Sequence, residues 1–138
     1  MKVVVDNKIP YIKEAITRIA DEVVFLPGDG FIKEFIKDAD ALIVRTRTRC
    51  NRDILEGSSV KFIATATIGF DHFDTAYCEE AGITWTNCPG CNAGSVEQYV
   101  HSVLLLLKRK KGVDLKNATL GVVGVGHVGS RVARMAEE

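Results

Sequence analysis

The chain has 138 residues, of which 18 are basic and 18 acidic, so its formal net charge is zero. That balance excludes the basic surface that would draw the whole molecule to nucleic acid or to an anionic membrane, and any anion site has to be local. No apolar run approaches the ~20 residues of a membrane span, and Met1-Lys2 passes through three valines directly into Asp6-Asn7, too short an apolar stretch for a secretory leader. A cytosolic chain is expected, with Cys50, Cys78, Cys88 and Cys91 as reduced thiols rather than a disulfide framework.

Short apolar runs alternate with helical periods, the pattern of a parallel sheet with crossover helices. Residues 3–5 form the first predicted strand. Ile12, Ala15, Ile16, Ile19 and Ala20 then recur at helical spacing after Pro10, which suits a first turn. Residues 23–26 are a second strand, stopped by Pro27-Gly28. Ile32, Phe35 and Ile36 mark a short helix, and residues 41–44 a third strand. Asn51 is placed to cap a short helix ending at Gly57, residues 61–66 read as a fourth strand, and Asp74 is placed to cap a helix that Gly82 ends before a strand over 83–86. Five strands with four crossovers predict an α/β, doubly wound, flavodoxin-like sheet.

From Ser95 the scale changes. Val96, Val100, Val103, Leu104 and Leu107 repeat over a long helix that ends in the basic run 108–111 and Gly112, the polarity the helix dipole favours. Residues 119–123 are predicted to be a strand leading into Gly124-Val125-Gly126-His127-Val128-Gly129, after which Val128, Val132, Met135 and Ala136 begin a helix. The boundaries expected are a substrate domain over 1–94, an interdomain helix over 95–112, and the start of a Rossmann dinucleotide-binding domain over 113–138.

A Gly-x-Gly-x-x-Gly on its own is weak, but here it follows a predicted strand and opens a helix, the context its mechanism requires. Gly124 would permit the tight turn, Gly126 would let the backbone approach a pyrophosphate, and Gly129 would allow close packing; His127 and Val128 would offer backbone N–H groups. The acidic residue for the ribose is expected about 20 residues further on. In open α/β sheets ligands sit beyond the carboxyl ends of the strands. There the sequence places Asp6-Asn7, Arg45-Thr46-Arg47, Thr65-Ala66-Thr67-Ile68-Gly69 and Thr86-Asn87. This set is rich in donors and suits a small anion, although Arg45, Thr46 and Arg47 can converge only if the strand bends. A solvated basic strand end is the alternative. Cys88-Pro-Gly-Cys91 has redox-dithiol spacing but not the sheet context, and a turn carrying two thiols is preferred; no zinc-ligand set is present. His72, His101 and His127 read as structural or solvent-facing side chains.

With these parts in place, the chain resembles the D-2-hydroxyacid dehydrogenase family. The likeness covers essentially the whole chain and rests on Gly69-Phe70-Asp71-His72-Phe73-Asp74 and the glycine loop. More particular stretches, Asp6-Asn7-Lys8-Ile9-Pro10-Tyr11, Thr65-Ala66-Thr67-Ile68-Gly69 and Pro89-Gly90-Cys91-Asn92-Ala93, are similar to a member acting on a phosphorylated 2-hydroxy acid. The resemblance implies NAD as hydride acceptor, a homodimer in the full-length protein, and no nucleic-acid or membrane partner. It assigns substrate contact to Thr46 and Thr67 with Arg45, Ile68 and Gly69 as neighbours, and cofactor contact to Gly124, Gly126, His127, Val128 and Gly129. Position 46 is threonine where the likeness leads one to expect serine. The family's arginine, glutamate and histidine of catalysis match no residue here and are expected beyond Glu138, so this chain alone is expected to be inactive and to hold NAD poorly. Another family member, such as one acting on phosphoglycerate, and a noncatalytic NAD-sensing module stay open as alternatives.

Overall fold

A computed structural model describes residues 1–137, which fall into two compact units, Met1–Cys88 and Pro89 onward. The first unit is a five-stranded sheet. Its strands are β1 (Lys2–Asp6), β2 (Glu22–Leu26), β3 (Ala41–Val44), β4 (Phe62–Thr65) and β5 (Thr84–Thr86). All pairings are parallel, in the order β2-β1-β3-β4-β5, which is the flavodoxin-like arrangement expected.

The two-residue period of a strand decides which helices each face receives. Register pairs Val3 with Ala41 and Val4 with Leu42, so alternate residues of β1 and β3 share faces. Val4, Leu42, Val44 and Ile63 are buried on one face under Ile36 of α2 (Lys33–Ile36), Leu55 of α3 (Arg52–Leu55) and Tyr77 of α4 (Thr75–Glu80). Val3, Val5 and Ala41 face the other way, against Ile16 of α1 (Ile12–Ile16). Strands enclosed on both faces read as unbroken valine and isoleucine runs for this reason.

The first helix is shorter than its apolar spacing predicts. The Thr17 hydroxyl bonds back to the Lys13 carbonyl at 2.9 Å, and the following amides switch to carbonyls three residues earlier, Arg18 to Ala15 and Ile19 to Ile16. The helix tightens and stops, leaving Ile19 exposed rather than on the buried face. The two caps also part company. Asp74 accepts the Tyr77 amide at 3.0 Å as expected, whereas the Asn51 side chain caps nothing and donates instead to Asp53 at 3.1 Å.

In the second unit α5 (Ala93–Lys111) ends at Gly112 with φ 67, the left-handed conformation that terminates helices, and packs against α6 (Gly129–Glu137). Glu97 and Arg131 join the two at 3.6 Å. The strand predicted over 119–123 is not formed: those residues pair with no other segment among the described residues. A strand is stabilised by its neighbours, and without a ladder the apolar pattern alone does not hold one; Val123 is fully exposed.

Candidate functional site

Beyond the carboxyl ends of β3 and β4, two short turns hold the residues singled out from the sequence. At the end of β3, Arg45–Thr48 form a tight turn closed by the Thr48 amide on the Arg45 carbonyl at 3.1 Å, which supplies the bend that the arginines and Thr46 need. The turn is anchored by Thr48, whose buried hydroxyl donates to the Gly28 carbonyl at 2.9 Å. A Cβ on Gly28 would lie 2.9 Å from the Arg47 Cβ and 3.2 Å from an Asp6 carboxylate oxygen, so only glycine lets the β2 end approach this closely. Arg45, Thr46 and Arg47 are exposed, and neither guanidinium forms an ion pair among the described residues. Asp6 is buried and occupied locally, accepting the Lys8 amide at 2.8 Å.

The second turn follows β4. Four consecutive carbonyls in it are bonded: that of Thr67 by the Cys88 amide at 3.1 Å, that of Ile68 by the Asn87 side chain at 2.7 Å, that of Gly69 by the Thr67 hydroxyl at 3.1 Å, and that of Phe70 by the Phe73 amide at 2.8 Å. The Ile68 and Gly69 amides give no hydrogen bond to protein among the described residues. A turn whose acceptors are satisfied and whose donors are open has the polarity to take an anion. The two turns are stitched together by a bridge at Cys50 and Phe73, with the Cys50 amide on the His72 carbonyl at 2.9 Å and the Asp74 amide on the Cys50 carbonyl at 2.8 Å.

His72 and Thr48 were not picked out as site residues by sequence reasoning. The His72 Nε2 lies 3.2 Å from the Thr65 hydroxyl, itself 2.6 Å from that of Thr67. Burial pushes the imidazole below its ordinary pKa, against a smaller opposing effect of Asp71, so the ring is neutral at physiological pH. The signal was the seven-residue spacing to Thr65, which carries no period of helix or strand and becomes informative only once the turn is seen to fold back.

In the second unit the three glycines of the loop meet different requirements. Gly124 has φ +88, which L side chains rarely adopt; a Cβ on Gly129 would fall 1.9 Å from the Gly124 carbonyl oxygen; around Gly126 nothing lies within 4 Å. A forced turn, a forced close packing and an open backbone are the three features a pyrophosphate cradle at a helix start needs. His127 and Val128 lie between the last two glycines, and the His127 ring rests on Gly90. His101 is exposed on α5. Cys88 and Cys91 are exposed, while burial pushes the Cys50 thiol up to about 12. Among the described residues no group of three or more His, Cys, Asp or Glu is placed to hold a metal, and no helix is long and apolar enough to cross a membrane.

The chain is similar throughout to known proteins. It is 65% identical over all 138 residues to an erythronate-4-phosphate dehydrogenase of Bacteroides fragilis and 59% identical to that of Bacteroides thetaiotaomicron, spanning 40% of the length of each. Among solved structures, 99% of the chain superposes on 50% of an NAD+-bound 3-phosphoglycerate dehydrogenase of Entamoeba histolytica, with a TM-score of 0.73 and 33% identity. It likewise superposes on 53% of the TT0316 protein of Thermus thermophilus, with a TM-score of 0.79 and 26% identity. Residues 3–132 match the model of the D-isomer specific 2-hydroxyacid dehydrogenase catalytic domain. With that match over nearly its whole length, and with the donor-rich turns and the glycine loop that the sequence promised, the chain belongs to the D-isomer specific 2-hydroxyacid dehydrogenase family.

Proposed function

We propose that the protein is an erythronate-4-phosphate dehydrogenase, oxidising the 2-hydroxyl of 4-phospho-D-erythronate to 2-oxo-3-hydroxy-4-phosphobutanoate in pyridoxal phosphate biosynthesis. The 65% identity to the Bacteroides fragilis enzyme over the whole chain carries this reading. The open amides of Ile68 and Gly69, with Thr46, Thr67 and Arg45 at the neighbouring strand ends, would take the anionic end of such a substrate. The glycine loop fits NAD: Gly126 leaves room for a diphosphate, Gly124 and Gly129 set the turn behind it, and the amides of His127 and Val128 lie in the same loop. When bound, NAD supplies the hydride acceptor.

What this chain contributes is binding and orientation. Its turns hold the substrate's acidic groups, and its loop would hold the diphosphate at the start of α6. No acid–base role is assigned to any of its residues. Residues 1–94 form the substrate domain in this reading, 95–112 the interdomain helix and 113–138 the beginning of the NAD domain, in a cytoplasmic homodimer. The test is turnover by the full-length protein: NADH formation from 4-phospho-D-erythronate is expected. Turnover of 3-phospho-D-glycerate in its place would move the protein to another family activity, and NAD binding without turnover of either would make it a sensing module.

A further inference from the structure

We infer that His72 is a positioning residue for the substrate-binding turn, acting through a one-way chain of hydrogen bonds that runs from its Nε2–H through the Thr65 and Thr67 hydroxyls. The direction follows from counting protons. The Thr67 hydroxyl has one proton and donates it to the Gly69 carbonyl at 3.1 Å. In the 2.6 Å contact between the two threonines, Thr67 is therefore the acceptor and Thr65 the donor. Thr65 has then used its own proton, so at 3.2 Å it accepts from His72, whose Nε2 must carry hydrogen. Every link in the chain points the same way, toward the end of the turn.

This arrangement does two things for the site. Hydrogen bonds in series polarise one another, so a donor at the head of the chain makes the Thr67 proton a better one for any acceptor at its end. The Gly69 carbonyl is that acceptor in the structure, and a carboxylate or phosphate oxygen in reach of Thr67 would compete for the same proton with the advantage of charge. The chain also fixes the angle at which the Ile68 and Gly69 amides are presented. His72 is held for the task from three sides: its ring meets the edge of Phe73 at 4.6 Å, its carbonyl accepts the Cys50 amide at 2.9 Å, and partial burial keeps the ring neutral. Thr65 is buried, so its hydroxyl proton is not exchanged for water.

The inference rests on the proposed dehydrogenase reading, and two readouts on the full-length protein keep the two apart. In ¹⁵N-labelled protein, His72 is expected to show the neutral tautomer protonated at Nε2, and Thr65→Val to remove that preference. In steady-state kinetics, His72→Phe is expected to raise KM for 4-phospho-D-erythronate by about tenfold, the loss of one hydrogen bond, with kcat and the NAD dissociation constant holding. His72→Gln, which restores an N–H at similar reach, is expected to recover most of the loss. Should His72→Phe fail to fold, Thr65→Val and His72→Gln carry the comparison. An Nδ1-protonated His72, or an unchanged KM in His72→Phe and Thr65→Val, overturns the inference. A wild-type protein that does not turn over the substrate overturns the dehydrogenase reading, and the tautomer then decides the role of His72 by itself.

Discussion

The imidazole of His127 lies against the backbone of Gly90, so close that a Cβ on Gly90 would be 3.0 Å from both Cγ and Nδ1 of the ring. Gly90 also has φ +75, so the turn after Cys88 requires glycine for its conformation and for its contact with the nucleotide loop. Gly90→Ala is expected to lower stability by about 1–2 kcal/mol from the φ requirement and to weaken NAD binding by displacing His127. Adding His127→Ala removes the crowding and leaves the φ strain, so part of the lost stability returns. Thermal melts and NAD titrations of the two variants check this; equal melting temperatures for Gly90→Ala and wild type would refute it.

Two glycines of the same loop separate folding from binding. A methyl at Gly129 meets the Gly124 carbonyl at 1.9 Å, a backbone atom that cannot swing away, and Gly129→Ala is expected to destabilise by about 1–3 kcal/mol. A methyl at Gly126 meets nothing within 4 Å, so the fold should tolerate Gly126→Ala within about 0.5 kcal/mol. NAD should nevertheless bind at least tenfold less tightly, roughly the loss of one hydrogen bond to a charged group. Paired denaturant melts and NAD titrations test the contrast, and a Gly126→Ala protein that binds NAD like wild type would end the pyrophosphate reading of this loop.

The sheet was legible because its signals are local. Valine runs between helical periods placed all five strands, and Asp74, Gly82 and Gly112 marked ends that the chain respects. Thr17 escaped notice because a hydroxyl that ends a helix by bonding back to Lys13 looks, in sequence, like any helical threonine. The run at 119–123 misled for the opposite reason: its period is that of a strand, but a ladder needs a partner that no local pattern supplies. Of the site, the strand-end position of Thr67 and the Ile68-Gly69 turn could be read directly. The partners that aim them, His72 through Thr65 and Asn87 on the Ile68 carbonyl, depend on chain reversals and were visible only in three dimensions.

The cysteines should divide by burial. Cys50 is fully buried with its thiol pushed by desolvation from 9.0 to about 12, and burial raises Cys78 as well, so both are neutral and shielded in the folded protein. Alkylation under native conditions is expected at Cys88 and Cys91 alone, with Cys50 and Cys78 labelled only after denaturation, as peptide mapping by mass spectrometry will show. The sign of the pH dependence follows. The unfolded Cys50 thiol ionises near 9.0 and the folded one does not, so above that pH the unfolded state binds fewer protons and stability falls as pH rises toward about 12. A Cys50→Ala protein should lose this part of the alkaline decline; an identical slope in both would refute the assignment.

Thr67 offers the sharpest test of the substrate turn, because its hydroxyl has two possible uses. In the structure it bonds the Gly69 carbonyl and accepts from Thr65, which would account for a threonine here on grounds of local folding alone. Were that its whole purpose, Thr67→Val would lower the melting temperature a little and leave kinetics as they are, since valine keeps the shape and packs on the same strand end. If the hydroxyl also gives its proton to the substrate's anionic end, the same change removes a charge-assisted bond of roughly 1.5–3 kcal/mol, or about 10- to 150-fold in kcat/KM. The second outcome is expected. NAD affinity should barely move, because the glycine loop belongs to the other unit. Thr67→Ser, which restores the hydroxyl without the methyl, should return most of the activity. The measurement is kcat/KM for 4-phospho-D-erythronate beside the NAD dissociation constant and the melting temperature. A lowered melting temperature with unchanged substrate kinetics would leave Thr67 a purely structural residue.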